Sequence, residues 1–165
     1  AYNATAAVLS NILSLGYLWN AVRVQGGAYG VSFSMRSSGA VTATSYRDPN
    51  PAHTLDAYCA MPDFIRTFAD SGEALTPYII STIGQLDPLM TPRQKGKVAD
   101  IRWFKGITDE KRRADRERML ATAPSDLAAW ADVLERMAHD GAVCIVGHAD
   151  AIEQCGDELT VTSLG

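Results

Sequence analysis

Three cysteines, three histidines and no close-spaced pair of like ligands are all that this 165-residue chain offers to metal chemistry. It has no His-x-x-x-His and no Cys-x-x-Cys. Cys144 and His148 lie near each other and Cys155 follows, but no third clear ligand joins them, so a zinc centre is not expected and His53, His139 and His148 read as surface residues, with Cys144 in the core. An odd, sparse cysteine set is no secreted disulfide framework and points to a reducing, intracellular setting. The chain lacks a basic excess: 15 Lys and Arg against 19 Asp and Glu give a net charge of −4, which argues against a nucleic-acid partner. No run of about 18 apolar residues is present, so no membrane-spanning helix is expected. The opening residues carry no basic n-region and so do not resemble a signal peptide. The chain opens on Ala1 rather than Met, which suggests a processed chain or a segment of something longer.

Nucleophilic catalysis has no signature either. There is no Gly-x-Ser-x-Gly elbow, and no cysteine sits in a marked basic surround. Gly26-Gly27-Ala28-Tyr29-Gly30 invites comparison with a phosphate loop, but the order is helix, glycines, strand. A dinucleotide site needs strand, glycines, then a helix N-terminus, and the Lys and Ser/Thr of a P-loop are missing.

What is present is a moderately apolar globular composition, 47% hydrophobic and 21% charged, of a length that suits one domain spanning 1–165. Val8, Leu9, Ile12, Leu13, Leu15 and Trp19 recur near the helical period, predicting a deeply buried helix over 4–24. Val31, Phe33 and Met35 alternate with polar residues, as do Val41, Ala43 and Ser45, and Ser37-Ser38-Gly39 joins the two runs into a β-hairpin. The turn 47–51 ends it.

Helices follow over 53–70, with Pro62 a kink or break, and over 73–85. Thr91 then caps a helix opened by Pro92 and ending near Gly106. Thr108 caps a charged helix over 109–122, read as a solvated face laced with i,i+4 pairs. Ser125 opens a helix over 126–139. The run 142–147 reads as a strand, 150–155 as a short helix and 159–164 as a final strand. Helices and strands are segregated, which predicts an α+β fold with an antiparallel or mixed sheet and helices on one face.

Arg23, at the end of the first helix, and Tyr29, within the glycine turn, are the remaining candidates. Glycines clear side chains away, so a ligand backbone can approach there. A cation and a phenol flanking such a turn can both donate to a carbonyl. The plainer alternative is an Arg that suits the helix dipole and a packed Tyr.

The string Tyr17-Leu18-Trp19-Asn20-Ala21-Val22-Arg23-Val24-Gln25-Gly26-Gly27-Ala28-Tyr29-Gly30 resembles the C-terminal half of presequence proteases, within the insulinase (pitrilysin-like) zinc metallopeptidases. Ser45-Tyr46-Arg47-Asp48-Pro49-Asn50, Leu89-Met90-Thr91-Pro92-Arg93-Gln94-Lys95-Gly96 and Gly106-Ile107-Thr108-Asp109-Glu110 support the likeness in the same order. The resemblance implies a long chain of four related α+β domains whose halves close around a chamber for short unfolded peptides. The zinc site, an inverted His-x-x-Glu-His, lies in the first domain and has no counterpart here.

This chain therefore resembles the later part of the last domain, half of a processing-peptidase-like domain, with its opening strands absent. By the resemblance, Arg23 and Tyr29 reach a bound peptide near the zinc, and Gly26, Gly27 and Ala28 let its backbone come close. It further implies a zinc-bearing N-terminal half as partner, no metal or other cofactor in this part, and inactivity of this part alone. It places the parent in the bacterial cytoplasm, or in an organelle matrix if eukaryotic. An uncovered sheet edge would favour homo-oligomers. A non-catalytic structural relative and a free-standing binding module are the alternatives.

Overall fold

The computed structural model describes residues 3–156 and 159–162. A long helix, α1 (Thr5–Gln25), runs through the centre. Ala6, Val8, Leu9, Ile12, Leu13, Leu18 and Val22 on it are wholly buried. By length and composition this helix could cross a membrane, but half of its apolar window is buried within the fold, as in the core helix of a folded domain. From Ile12 to Gln25 its backbone bonding widens to the i→i+5 pattern, which usually occurs in single turns and often at functional sites.

The expected hairpin forms. Strands β1 (Gly30–Met35) and β2 (Val41–Tyr46) pair antiparallel, with Gly30 opposite Tyr46 and Met35 opposite Val41. Phe33 is buried, and Val31, Met35, Val41 and Ala43 pack on the same core. On the other face Ser32 bonds Thr44 and Ser34 bonds Thr42, both at 2.9 Å. The outer edge of β1 is satisfied by α1 rather than by a third strand. Ser14 Oγ accepts from Phe33 N–H at 2.9 Å and donates to Phe33 O at 3.2 Å, and Ser10 Oγ accepts from Met35 N–H at 3.3 Å. The hairpin is thereby fixed on the helix it follows.

Helices α2 (Pro51–Cys59), α3 (Met61–Asp70), α4 (Thr76–Leu86), α5 (Pro92–Phe104), α6 (Asp109–Leu120), α7 (Pro124–Ala128), α8 (Ala131–Asp140) and α9 (Ala149–Glu153) complete the chain. The expected break near Pro62 falls at Ala60, with Pro62 in the first turn of α3, where its missing N–H costs nothing. Thr91 and Thr108 cap α5 and α6 as predicted, with a full capping box at Thr91. Helix α6 carries one pair at the expected i,i+4 spacing, Lys111–Asp115, and one at i,i+3, Asp109–Arg112. Arg116 and Arg118 instead reach Asp87 and Asp126 outside it.

Asn11 Nδ2 donates to Tyr78 O and Thr82 Oγ1, tying α1 to α4. Arg66 ties α3 to α8 through Glu135 at 2.6 Å.

Three expectations need correction. The helix predicted over 126–139 is two helices, because the chain bends at Trp130, whose indole N–H donates to Thr5 Oγ1 at 3.1 Å. The run 142–147 forms no strand and is mostly exposed. Its apolar residues suit a strand, but a strand needs a partner edge, and among the described residues the hairpin pairs only with itself. Residues 159–162 are not strand, while Ser163 and Leu164 lie outside the described residues. The outcome is a helix-rich α+β fold with a two-stranded antiparallel sheet.

Tyr58 is the one buried side-chain polar atom without a partner among the described residues. Burial pushes its phenol up to about 12; the nearby Ser45 hydroxyl, too poorly placed for a well-formed hydrogen bond, opposes this, and the Asp48 charge adds to it. Tyr17 and Tyr78 are also raised, chiefly by burial. Folding thus favours the neutral phenols. Their contribution is complete below pH 10, the ordinary tyrosine value, and is lost as the pH climbs toward 12. Melting temperature should hold to about pH 10 and fall above it. Tyr58→Phe should leave neutral-pH stability unchanged or improved, because it deletes an orphaned hydroxyl. A clear loss of stability in Tyr58→Phe at pH 7 would show that the hydroxyl has a partner.

Candidate functional site

The site grows out of the end of α1. Gly26 N–H donates to Ala21 O, Gly27 N–H to Arg23 O and Ala28 N–H to Val22 O, each at 3.1 Å. This is a Schellman-type cap widened by one residue, as an i→i+5 turn requires. Gly27 takes the left-handed position, with φ 82°.

A Cβ on Gly26 would lie 2.6 Å from Val22 O and 3.1 Å from His53 Cδ2, while one on Gly27 would lie 3.3 Å from Pro49 Cγ. The glycines therefore let α1 close its cap and let α2 and the Pro49 turn pack against it. Gly30 has open space around it. Ala28 is buried, with its side chain in the core. Gly26→Ala should cost about 1–3 kcal/mol, since a backbone carbonyl cannot step aside. Urea unfolding of the chain without ligand checks it, and a neutral result would leave ligand approach as the only demand on Gly26.

Beyond the cap, Tyr29 N–H is shared between Tyr46 O at 3.1 Å and Arg47 O at 3.3 Å. The Tyr29 side chain is 64% exposed. Its ring meets Tyr46 edge-on, with centroids 6.1 Å apart. The Arg47 guanidinium lies 5.7 Å from the Tyr29 centroid and 5.4 Å from that of Tyr46. Arg23 is half-buried, with its guanidinium 4.0 Å over the ring of Trp19, one turn earlier. Such cation–π contacts contribute about 0.5–1 kcal/mol at exposed sites. Among the described residues no side-chain hydrogen bond or ion pair engages either guanidinium. Arg23 and Tyr29 each lie against an aromatic neighbour of their own, Trp19 and Tyr46.

The turn behind them is rigid. Arg47 has φ 48°, the one non-glycine residue in left-handed backbone among the described residues, a conformation that costs of order 1–3 kcal/mol. Asp48 locks it, accepting from Asn50 N–H at 2.9 Å and from Thr54 Oγ1 at 2.6 Å. Thr54 is buried. Asn50 caps α2, and His53 Nε2 lies 3.1 Å from Ala21 O, joining α2 to the end of α1. His53 is thus an internal tie, not the surface histidine expected.

The sequence singles out Arg23 and Tyr29 as candidates; it does not single out the neighbours that the structure sets against them, Trp19, Tyr46 and Arg47. Arginine at a left-handed position carries no signal, whereas Asn or Gly there would have.

Among the described residues no three His, Cys, Asp or Glu side chains converge to hold a metal ion. Cys144 is exposed rather than in the core as expected, because the run bearing it is unpaired. Burial and, second, the Asp48 charge raise the Cys155 thiol above its ordinary value, which makes it a poor nucleophile.

A family model described as the PreP C-terminal domain matches residues 1–150. The chain belongs to this family. Presequence protease 1, chloroplastic/mitochondrial, of Arabidopsis thaliana is 38% identical over 157 residues, covering 94% of this chain and 14% of the relative. Protein HypA of Clostridium perfringens is 33% identical over 156 residues, covering 94% and 16%. The mitochondrial presequence protease of Emericella nidulans is 33% identical over 168 residues, covering 98% and 15%. The chain thus spans about one-sixth or less of the length of these curated relatives.

Proposed function

We propose that this chain is the C-terminal, substrate-binding part of a zinc-dependent metalloendopeptidase that degrades short unfolded peptides in a closed chamber. On this reading residues 1–165 form one domain, half of a processing-peptidase-like unit, and the partner is a zinc-bearing N-terminal half of the same protein. The observation that carries it is an exposed phenol at the helix-to-strand turn and, at the end of the preceding helix, a half-buried guanidinium stacked on Trp19, in a member of the PreP C-terminal domain family. Among the described residues no three ligand side chains converge on a zinc ion, and on this reading metal and bond cleavage belong to the remainder of the protein.

Tyr29 and Arg23 supply donors. As a peptide carbonyl is attacked, negative charge grows on its oxygen, and the Tyr29 hydroxyl donates to it. Arg23 holds a neighbouring carbonyl of the bound peptide through its guanidinium N–H groups. The backbone at Gly26, Gly27 and Ala28 lets the peptide lie close. The parent works in the cytoplasm of a bacterium or the matrix of an organelle. The outer edge of β2 favours self-association when the rest of the protein is absent.

The direct test incubates an unstructured peptide with the isolated chain and with the full-length protein and follows products by chromatography. Cleavage by the full-length protein alone is expected. Cleavage by the isolated chain would overturn the assignment.

A further inference from the structure

Arginine is a costly choice at a φ of 48°, where glycine rests without strain. The cost makes sense only if the side chain does something. Among the described residues it enters no ion pair and no side-chain hydrogen bond. What it does contact is aromatic: the rings of Tyr29 and Tyr46. The same residue's carbonyl takes part in holding the Tyr29 N–H. Backbone and side chain of Arg47 therefore both act on one residue.

Tyr46 provides the second wall, edge-on to Tyr29. The turn is anchored from behind by Asp48 on Asn50 and Thr54, and Pro49 packs on Gly27 in the α1 cap. An exposed tyrosine would ordinarily sample several rotamers. Here one face of its surroundings is the exposed guanidinium of Arg47, carried on a turn whose backbone is braced.

We propose that Arg47 is a positioning residue for Tyr29, holding the phenol by cation–π contact and backbone hydrogen bond in the orientation its donor needs. The inference rests on the proposed role of Tyr29 in peptide hydrolysis and adds a residue through which that role depends on the 46–50 turn.

The test is a double-mutant cycle in the full-length protein, reading kcat, KM and melting temperature. Arg47→Gly removes the side chain and relaxes the backbone, so folding stability should hold or rise. If Arg47 aims Tyr29, kcat should nevertheless fall by about 10-fold to 100-fold, the scale of a small misplacement, with KM moving far less. The loss should vanish in a Tyr29→Phe background, because no donor is left to aim. Arg47→Lys, which keeps the cation, should recover part of the rate. If Arg47→Gly does not fold, Arg47→Gln repeats the cycle with a shorter, uncharged polar side chain in place of the cation.

Impaired Tyr29→Phe beside a normal kcat in Arg47→Gly would overturn this inference alone. So would an equal loss in both backgrounds, or an effect confined to KM. Normal turnover in Tyr29→Phe would remove the role of Tyr29, and the inference with it.

Discussion

Tyr29→Phe in the full-length protein is expected to lower kcat by about 10²–10³, or roughly 2.7–4 kcal/mol of transition-state stabilisation. The variant keeps the ring, its edge contact with Tyr46 and its place beside Arg47, and removes one donor. If that donor serves an oxygen whose charge appears only in the transition state, kcat falls and apparent affinity moves little. Melting temperature should barely change, because the side chain is mostly exposed. Arg23→Ala should differ. It removes a group that grips the ground-state peptide, so KM should rise as well. It also uncovers the Trp19 ring, at a stability cost no larger than an exposed cation–π contact. A merely packed Tyr29 would leave turnover of Tyr29→Phe near normal, and that result would end the proposed role.

The elements that position this site were legible because each is written in local chemistry. Leu9, Ile12 and Leu13 show the helical period of α1, and all three are wholly buried. The alternation through Val31, Phe33 and Met35 is the inward face of β1. Thr91 and Thr108 announce helix starts because their hydroxyls accept orphan amides.

What could not be read depends on distant partners. The bend at Trp130 exists because its indole meets Thr5 at the other end of the sequence. The run 142–147 has the composition of a strand, but pairing is decided by which edges are open. The outer edge of β1 is taken by Ser10 and Ser14 of α1, which looked like unremarkable polar positions on a helix. Within the site, Arg23 and Tyr29 stood out beside the glycines. Trp19 was hidden among apolar helix positions, and Arg47 had no local sign of its left-handed backbone.

Trp130→Ala is expected to cost about 3–5 kcal/mol, a large share of the 5–15 kcal/mol that holds most domains together. Trp130 is 8% exposed and lies where α7 turns into α8. Its ring packs in the core with Leu127, Ala131 and Leu134, and its N–H reaches the fully buried Thr5. The substitution therefore opens a cavity and frees the first turn of α1 together. Trp130→Phe keeps most of the buried area and loses the one hydrogen bond, so it should cost only about 1 kcal/mol.

Urea unfolding measures both, and hydrogen exchange locates the damage. Because the Trp130 bond is made at Thr5, amides in the first turns of α1 should lose protection before those near Arg23. The far end of the helix is held separately by His53 at Ala21 O and by the glycine cap. A loss below about 1 kcal/mol in Trp130→Ala would show that the α7–α8 bend is not part of the core that carries α1.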